Sequence, residues 1–192
     1  MSFIFWFLVG IVGVALIIAV WLIAVYNSIV KLRVLSEEAF SGMDIFMKMR
    51  NDLIPNLVET LKGYMAHESQ TLESVITARS RAISTSSADS IETRVDCERE
   101  LGGAVSRMMM VAEQYPELKA DSQFLNLSQQ LTSVETDIAQ ARKYYNGAVR
   151  MYNTRIALFP VTIVAGMGRF IKLPYFELDD VGERDVPLVS LT

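Results

Sequence analysis

The sequence predicts an all-α protein in which an N-terminal transmembrane helix continues into an elongated antiparallel bundle of long helices. The first observation is an apolar run over residues 3–25 that contains no charged side chain. The second is that apolar residues recur every three or four positions in the later segments, which is the period of a helix. The third is a low content of Gly and Pro, 10 and 5 in 192 residues. We expect an anchor at 1–25, a bundle at 26–171 and an extended tail at 172–192.

The anchor begins at Phe3 and ends at Val25. At about 1.5 Å per residue, this run spans the roughly 30 Å hydrocarbon core of a bilayer. A buried helix of a soluble protein would carry a polar face, and this run has none. A cleaved signal peptide is the alternative, but no basic segment precedes the run, the run is too long, and no small-residue cleavage site follows. The pattern therefore predicts a retained membrane span.

Positive charge lies on one side of the anchor only. No Lys or Arg precedes it, whereas Lys31, Arg33, Lys48 and Arg50 follow it. Because Lys and Arg concentrate on the cytoplasmic flank of membrane helices, we expect the N-terminus outside and the main domain in the cytoplasm. The small residues of the anchor suit close packing between anchors, although ordinary membrane-helix composition is the favoured interpretation: Gly10, Gly13, Ala15 and Ala19.

The central run at 52–68 is expected to lie inside one very long helix. Its apolar stripe has helical spacing: Ile45, Met49, Leu53, Leu57, Leu61, Tyr64 and Met65. Upstream on the same helix, a helical stripe is continued by Val30, Val34, Phe40, Met43 and Met47. Pro55 falls inside this pattern without shifting it, so the prediction is a kinked helix that continues to about residue 81. A helix of about 55 residues is some 80 Å long, and the remaining helices can cover only part of it. The rest of the stripe is then available to a second copy or another partner.

A polar loop at 84–90 separates this helix from the next, which is expected at 91–114. Ser90 has the side chain and the position of an N-cap. The pair Gly102–Gly103 costs helix stability on the order of 1 kcal/mol per residue relative to Ala. Either a neighbouring helix crosses closely there, or the helix is weak.

A turn at 115–118 leads into the last long helix, which is expected at 122–159 and ends before a proline. Its apolar spacing averages close to 3.5, which favours coiled-coil-like packing. A short apolar helix at 161–171 is expected to dock on the bundle; contact with the membrane surface is the alternative. The tail from Leu173 onwards is expected to be extended and mobile.

The sequence contains no recognisable constellation for catalysis, metal binding or cofactor binding. His67 and Glu68 are adjacent, but a zinc site takes three or four protein ligands, so they are interpreted as a polar pair at a helix surface. Cys97 is interpreted as a buried or idle thiol, and a single cysteine forms no intramolecular disulfide. The net charge of −4 includes no basic patch, which argues against a nucleic-acid surface. We therefore predict neither an enzyme nor a cofactor.

Polar residues that share helices with the apolar stripes are the most informative ones. Glu135 and Arg142 are seven positions apart and so lie on one helix face. We expect such residues to meet across the bundle and fix its register, with a recognition groove as the alternative. The residues concerned are Asp44, Arg50, Arg79, Glu135, Asp137, Arg142, Asn146 and Asn153.

The chain closely resembles the LemA family over residues 26–177. Two motifs are the most specific: residues 53–58, with the sequence LIPNLV, and residues 112–118, with the sequence AEQYPEL. The residues that match the family's motifs, and that the resemblance assigns to the bundle or to an interface, are Tyr26, Asn27, Arg33, Asp44, Arg50, Pro55, Asn56, Gly63, Tyr64, His67, Glu68, Arg79, Glu113, Tyr115, Pro116, Glu135, Arg142, Asn146, Tyr152, Asn153, Phe159 and Pro160. Phe40, where Trp is more usual, and Met65, where Ala is common, depart mildly from the pattern.

The resemblance implies a single-pass protein of the bacterial inner membrane with an all-α domain in the cytoplasm. It implies no agreed activity, but it does imply an association with a membrane metallopeptidase of the HtpX type, and hence a role in membrane-protein quality control or envelope stress. Together with the uncovered stripe, this predicts a self-associating scaffold or adaptor. The alternatives are a membrane-remodelling assembly that uses residues 161–171, and a subunit or cofactor of the peptidase. The expected partners are the lipid bilayer and a second copy.

Overall fold

The structure is a computed structural model that describes residues 2–85 and 90–176. The prediction of an all-α chain is confirmed, since the regular structure in these ranges is helical. The elements are α1 (Ser2–Lys62), α2 (Ser69–Ser84), α3 (Ile91–Ala112), a 3₁₀ turn (Pro116–Ala120), α4 (Ser122–Ala157) and α5 (Val161–Met167). The hydroxyl of Ser90 accepts a hydrogen bond from the backbone N–H of Thr93 at 3.1 Å, which confirms the predicted N-cap of α3.

Helix α1 continues through Pro55, as expected, but it ends at Lys62 rather than running to residue 81. The chain turns over residues 63–68, where the N–H of Met65 still bonds to the carbonyl of Leu61 at 2.8 Å. Gly63 begins this turn and has a low helix propensity. Because the turn buries Met65 completely, the apolar spacing continues where the helix does not.

Part of the expected apolar stripe on α1 lies on a face next to the buried one. Ile45 and Met49 are exposed, whereas Met43 and Met47, which were expected on the upstream stripe, are buried together with Ile54. From Ser36 onwards, buried positions recur every three or four residues when two polar side chains are included: Ser36, Ala39, Met43, Met47, Arg50, Ile54, Leu57 and Leu61. The stripe contains Ser36 and Arg50, so a search for apolar residues alone shifts to a neighbouring face.

The chain divides into two compact units. The first contains residues 2–45 and 138–175, and the second contains residues 46–137 with Phe176, apart from the undescribed 86–89. In the second unit, the ends of α1 and α4 pack with α2 and α3 around one apolar core. This core contains Leu61, Leu101 and Met108, which are completely buried.

In the first unit, α1 and α4 run antiparallel. Val25 and Ile29 share a buried cluster with Tyr152 and Ile156 near the end of α4. Further along α1, the ring of Phe40 meets an earlier residue of α4, Tyr145, with ring centroids 5.4 Å apart. Since residue numbers rise on one helix as they fall on the other, this part of the predicted antiparallel bundle is present.

Helix α5 docks in the first unit through Val161, Val164 and Ala165, so the expected docking is confirmed. The helix ends at Met167 instead of residue 171. The peptide bond between Phe159 and Pro160 is cis.

The segment at 171–176 is bound to α4, so the expectation of a mobile tail from Leu173 is wrong for these residues. The Asn153 side chain donates to the carbonyl of Leu173 at 2.8 Å and accepts from its N–H at 2.9 Å. The hydroxyl of Tyr145 donates to the carbonyl of Pro174 at 2.9 Å. The hydroxyl of Tyr152 donates to the carbonyl of Ile171 at 3.0 Å. The remainder of the predicted tail, 177–192, lies outside the described residues.

Candidate functional site

The first candidate site is the apolar part of α1. Among residues 2–85 and 90–176, α1 is the one helix that is long and apolar enough to cross a membrane. Its most apolar stretch has a mean hydropathy of 3.0, and 6% of that stretch is buried within the chain. Large side chains such as Phe7, Ile17 and Ile23 point away from the protein. Such a surface is stable only against lipid or other apolar groups.

The second candidate site is a buried ion cluster around Arg50. Its Nη1 donates to Glu135 at 3.1 Å, and its Nη2 donates to Glu98. The Arg50 side chain is 3% exposed, Glu98 is 10% exposed and Glu135 is 36% exposed. One cation therefore bridges two carboxylates that come from α3 and α4, and the Glu98 pair is almost completely desolvated.

This cluster joins three helices and can fix their register, because a shift of any one helix would leave a buried charge unpaired. The Nε of Arg50 is buried and has no hydrogen-bond partner within the described residues. Gly102 faces the guanidinium, and a Cβ there would lie 3.7 Å from Nη1. This is an ordinary van der Waals distance to the end of a side chain, so the contact does not require a glycine, and the close helix crossing expected at the glycine pair stays a prediction.

The predicted polar network is only partly assembled as expected. The structure brings Arg50 and Glu135 together, whereas Arg79 donates to the backbone carbonyl of Asn51 at 2.7 Å. Asn153 binds the segment at 171–176 instead of another helix. The other predicted members lie at exposed positions (Asp44) or half-buried positions (Asp137, Arg142 and Asn146).

The sequence analysis missed Glu98 as the main partner of Arg50. The available signal was its spacing, since Glu98 lies three positions after Val95 and three before Leu101, on the apolar face of α3. It also missed Asp121, which stabilises the start of α4. Carboxylate Oδ1 of Asp121 accepts from the backbone N–H groups of Gln123 and Phe124 at 2.8 and 2.9 Å.

Asp121 also receives a hydrogen bond from the hydroxyl of Tyr64 at 2.9 Å. The backbone N–H of Phe124 and then the Tyr64 hydroxyl lower the pKa of the Asp121 carboxyl, and the N–H of Gln123 lowers it further. The same hydrogen bond, followed by the negative charge of Asp121, raises the pKa of Tyr64. The bond connects the turn after α1 to the first residues of α4.

The residues considered for chemistry lie apart from one another. His67 is exposed and Glu68 is half-buried, and both lie in the turn at 63–68, not on the helix surface where they were expected. Cys97 is half-buried against the core of the second unit, and desolvation raises the pKa of its thiol, which makes it a poor nucleophile. In the two described ranges, no three His, Cys, Asp or Glu side chains gather in a way that could hold a metal ion.

The remaining motif residues are spread over both units. Tyr26 is exposed, and its ring centroid is 5.5 Å from that of Phe170. Arg33 pairs with Glu37 at 3.1 Å on the surface of α1. Pro116 begins the 3₁₀ turn that follows the half-buried Tyr115. The others at the surface are Asn27, Pro55, Asn56, Gly63, Glu113, Phe159 and Pro160.

Comparison with known proteins gives matches over most of the chain. The sequence model of the LemA family matches residues 39–191. Magnetosome protein MamQ 2 of Paramagnetospirillum magneticum is 22% identical over 188 residues, covering 86% of this chain and 68% of the relative. Magnetosome protein MamQ of Magnetospirillum gryphiswaldense is 21% identical with the same coverage. Protein LemA of Metamycoplasma hominis is 24% identical over 156 residues, covering 81% of this chain and 70% of the relative.

The family match begins at residue 39 and so includes nearly all of the bundle, from Met43 and Arg50 on α1 to Phe176. It leaves out the apolar part of α1, whose exposed surface independently indicates attachment to a membrane. The two observations agree with the resemblance found in the motifs at 53–58 and 112–118. On the family match, the helical fold and the apolar N-terminal helix, this chain is a membrane-associated protein that belongs to the LemA family.

Proposed function

We propose that this protein is a single-pass membrane scaffold that self-associates through α1 and α4. The support for a scaffold is the chemistry of the described residues: the cluster at Arg50 joins helices, the thiol is half-buried, and Arg79 and Asn153 bond to backbone groups. The relatives are compatible with this proposal, since their names refer to the magnetosome or to the family.

The proposed orientation places the N-terminus outside and the chain that follows the span at 3–25 in the cytoplasm. The first unit contains eight Lys and Arg and three Asp and Glu, a net charge of +5, although the whole chain is at −4. The remainder of the chain therefore carries −9. Because cationic segments next to a membrane helix stay on the cytoplasmic side, the positive first unit supports this orientation. The membrane is proposed to be the bacterial inner membrane.

The observation that carries self-association is a pair of helical glycines with open surroundings. Outside its own stretch of helix backbone, a Cβ at Gly42 of α1 or at Gly147 of α4 would meet no atom of residues 2–85 and 90–176 within 4 Å. A glycine inside a helix costs about 1 kcal/mol relative to Ala, and packing within the chain does not account for that cost here. Close approach of a helix from another molecule would account for it.

Exposed apolar side chains adjoin both glycines. Ile45 follows Gly42 by three positions on α1, and Tyr144 and Met151 lie on the same face of α4 as Gly147. An apolar surface around a glycine lets two helix backbones approach closely. Inside the apolar part of α1, Gly10 and Gly13 are open in the same way.

The test is to extract the full chain from membranes in mild detergent, measure the mass of the particle, and identify its components by mass spectrometry. We expect a particle that contains several copies. Gly42→Leu and Gly147→Leu should reduce its mass to that of one chain, because a Leu fits each open site in the single chain but blocks the approach of a second helix. Gly42→Ala and Gly147→Ala are the matched controls, and they should raise helix stability and leave most of the assembly intact.

A monomeric particle of the unaltered chain would overturn self-association. A particle with one stoichiometric companion, in particular a membrane metallopeptidase of the HtpX type, would instead make this chain an adaptor or subunit of that enzyme. In that case, the function would be membrane-protein quality control or a response to envelope stress, and the glycine variants should release the companion.

A further inference from the structure

Helix α5 has two apolar faces, and folding buries only one of them. Val161, Val164 and Ala165 are buried in the first unit. On the opposite side, Ile163 is 55% exposed and Met167 is 76% exposed, and Ile171 just beyond the helix is 77% exposed. The residues that precede the helix, Leu158 and Phe159, are also exposed. Five large apolar side chains in one short stretch form a surface that water does not favour.

This surface, which we term the α5 patch, lies beside the end of the membrane segment. The buried face of α5 packs in the cluster that contains Val25 and Ile29, with Leu22 at its edge. Val25 is the last residue of the apolar run, and Ile29 is about 6 Å further along the helix axis. Phe170, which follows α5, contacts Tyr26 at the same level. The α5 patch therefore adjoins the boundary between hydrocarbon and headgroups.

The side chains around the patch are cationic. The first unit has Lys31, Arg33, Arg150, Arg155, Arg169 and Lys172 close in sequence to the elements of this cluster, and its acidic residues are confined to Glu37, Glu38 and Asp44. Arg33 is paired with Glu37. A groove of about 380 Å³ beside α4 is lined by Leu32, Arg150, Met151, Thr154, Arg155 and Leu158. The Nε of Arg155 is buried and has no partner among the described residues.

The C-terminal end of α5 holds one of these cations in an unfavourable backbone conformation. Arg169 has a φ of 54°, in the left-handed region where a glycine is normally found after a helix. The N–H of Arg169 bonds to the carbonyl of Gly166, and the N–H of Phe170 bonds to that of Ala165, which is the hydrogen-bond pattern of a Schellman motif. A glycine would remove the strain, and it would also remove the charge.

We propose that the α5 patch is a second membrane contact. The patch rests in the interfacial layer of the leaflet from which α1 emerges, and the arginines near it bind anionic phospholipid headgroups. Apolar side chains flanked by cations are typical of segments that lie in this layer. A second copy that met the patch through the same surface would bring like charges together. The inference needs the membrane anchor, but it does not depend on self-association.

The test uses the full chain in vesicles of phosphatidylcholine and phosphatidylglycerol. Cys97→Ser removes the native thiol, and a single cysteine is then introduced by Ile163→Cys or Met167→Cys and labelled with a polarity-sensitive fluorophore. Ile83→Cys, an exposed apolar site at the end of α2, is the matched control. Lipids that carry a nitroxide near the headgroup should quench most of the fluorescence at residues 163 and 167, and iodide in the buffer should not.

Quenching by iodide at residues 163 and 167, equal to that at residue 83, would overturn the lipid contact. Protection from both iodide and nitroxide lipid would also overturn it, because that result shows a protein partner. Vesicles of phosphatidylcholine alone should give weaker nitroxide quenching. Equal quenching in both kinds of vesicle would overturn the headgroup part of the proposal.

Arg169→Gly separates lipid binding from stability. It should raise the melting temperature, because the strained left-handed arginine is removed, and yet weaken the lipid contact. The phosphatidylglycerol fraction needed for half-maximal quenching should rise about fivefold, the effect of one cation near an anionic surface. An unchanged lipid response would show that Arg169 takes no part. Lys143→Gln, which removes one positive charge from α4, is the control for the loss of charge and should leave the lipid response unchanged.

Discussion

Nη1 of Arg50 donates to Oε1 of Glu135 at 3.1 Å, which joins two residues that are 85 positions apart in the sequence. The same guanidinium bonds to Glu98, so three helices of the second unit meet at one buried cation. Such a cluster stabilises one helix register over others, because alternatives would leave the charges unpaired in an apolar environment.

Arg50→Met should destabilise the second unit strongly. It leaves the carboxylate of Glu98 buried without its cation, at a cost of about 3–5 kcal/mol. For a chain of this size, that loss lowers the melting temperature by roughly 10 °C, measured by circular dichroism of the full chain in detergent. Arg81→Met is the control, because its pair with Glu100 is exposed and contributes about 0–1 kcal/mol.

A double variant, Arg50→Met with Glu98→Leu, should recover a large part of the lost stability, because it removes the unpaired charge together with its partner. If it were no more stable than Arg50→Met alone, the loss would come from packing and not from an uncompensated carboxylate.

Asp121→Asn should weaken the fold in a pH-dependent way. Asparagine still caps α4, but it lacks the charge that the N–H groups and Tyr64 stabilise. The pKa of Asp121 is lowered in the folded chain, so its contribution is present above the unfolded pKa and is lost as the pH falls through the folded value. The difference in urea midpoint between the two proteins should therefore be large at pH 7 and shrink below about pH 4.

Tyr64→Phe should reproduce part of this difference, since it removes one of the donors to Asp121. If the gap between Asp121→Asn and the unaltered chain stayed constant from pH 7 to pH 3, the carboxylate charge would have no role.

Asn153→Ala should release the segment at 171–176 from α4. The N–H of Leu173 donates to the Asn153 side chain, so its exchange with deuterium is slow in the unaltered chain. Losing both hydrogen bonds costs about 1–3 kcal/mol, which should speed exchange at Leu173 by roughly 10-fold to 100-fold. Asn27→Ala, at an exposed position on α1, should leave that rate unchanged; equal rates in both variants would mean that other contacts hold the segment.

Tyr145 should ionise at unusually high pH. Burial raises the pKa of its hydroxyl to about 12. Because the unfolded chain loses this proton near pH 10, stability falls as the pH rises from about 10 through the folded value. Ultraviolet absorbance titration should show a late phenolate transition that Tyr145→Phe removes. Tyr144→Phe, at the exposed neighbouring position, is the control and should leave the late transition in place. Loss of the late transition in Tyr144→Phe would show that the transition does not belong to Tyr145.

The long apolar stretches determined what could be predicted from sequence. Helical spacing was sufficient to locate α3 and α4 within two residues at each end, because propensity, capping at Ser90 and the stop before Pro160 all agree there. The apolar part of α1 could be predicted from composition alone, since its uncharged run is long enough to span a bilayer.

The end of α1 could not be predicted, because the turn at 63–68 places Met65 in the core and so continues the helical spacing of apolar residues beyond the end of the helix. Only one of the two partners of Arg50 could be predicted. Glu135 shares a stripe with apolar residues, whereas Glu98 contacts Arg50 because of how α3 approaches α1, which depends on tertiary packing.

Helix α1 continues from the apolar run at 3–25 into residues 26–45 without a flexible joint. Membrane helices tilt when their apolar length exceeds the thickness of the bilayer. Here the tilt cannot be absorbed by a linker, so residues 26–45 must change their angle to the membrane along with residues 3–25. The angle of residues 26–45 to the membrane would therefore vary with the thickness of the bilayer. Spin labels on residues 26–45 in nanodiscs of short and long acyl chains would measure that angle.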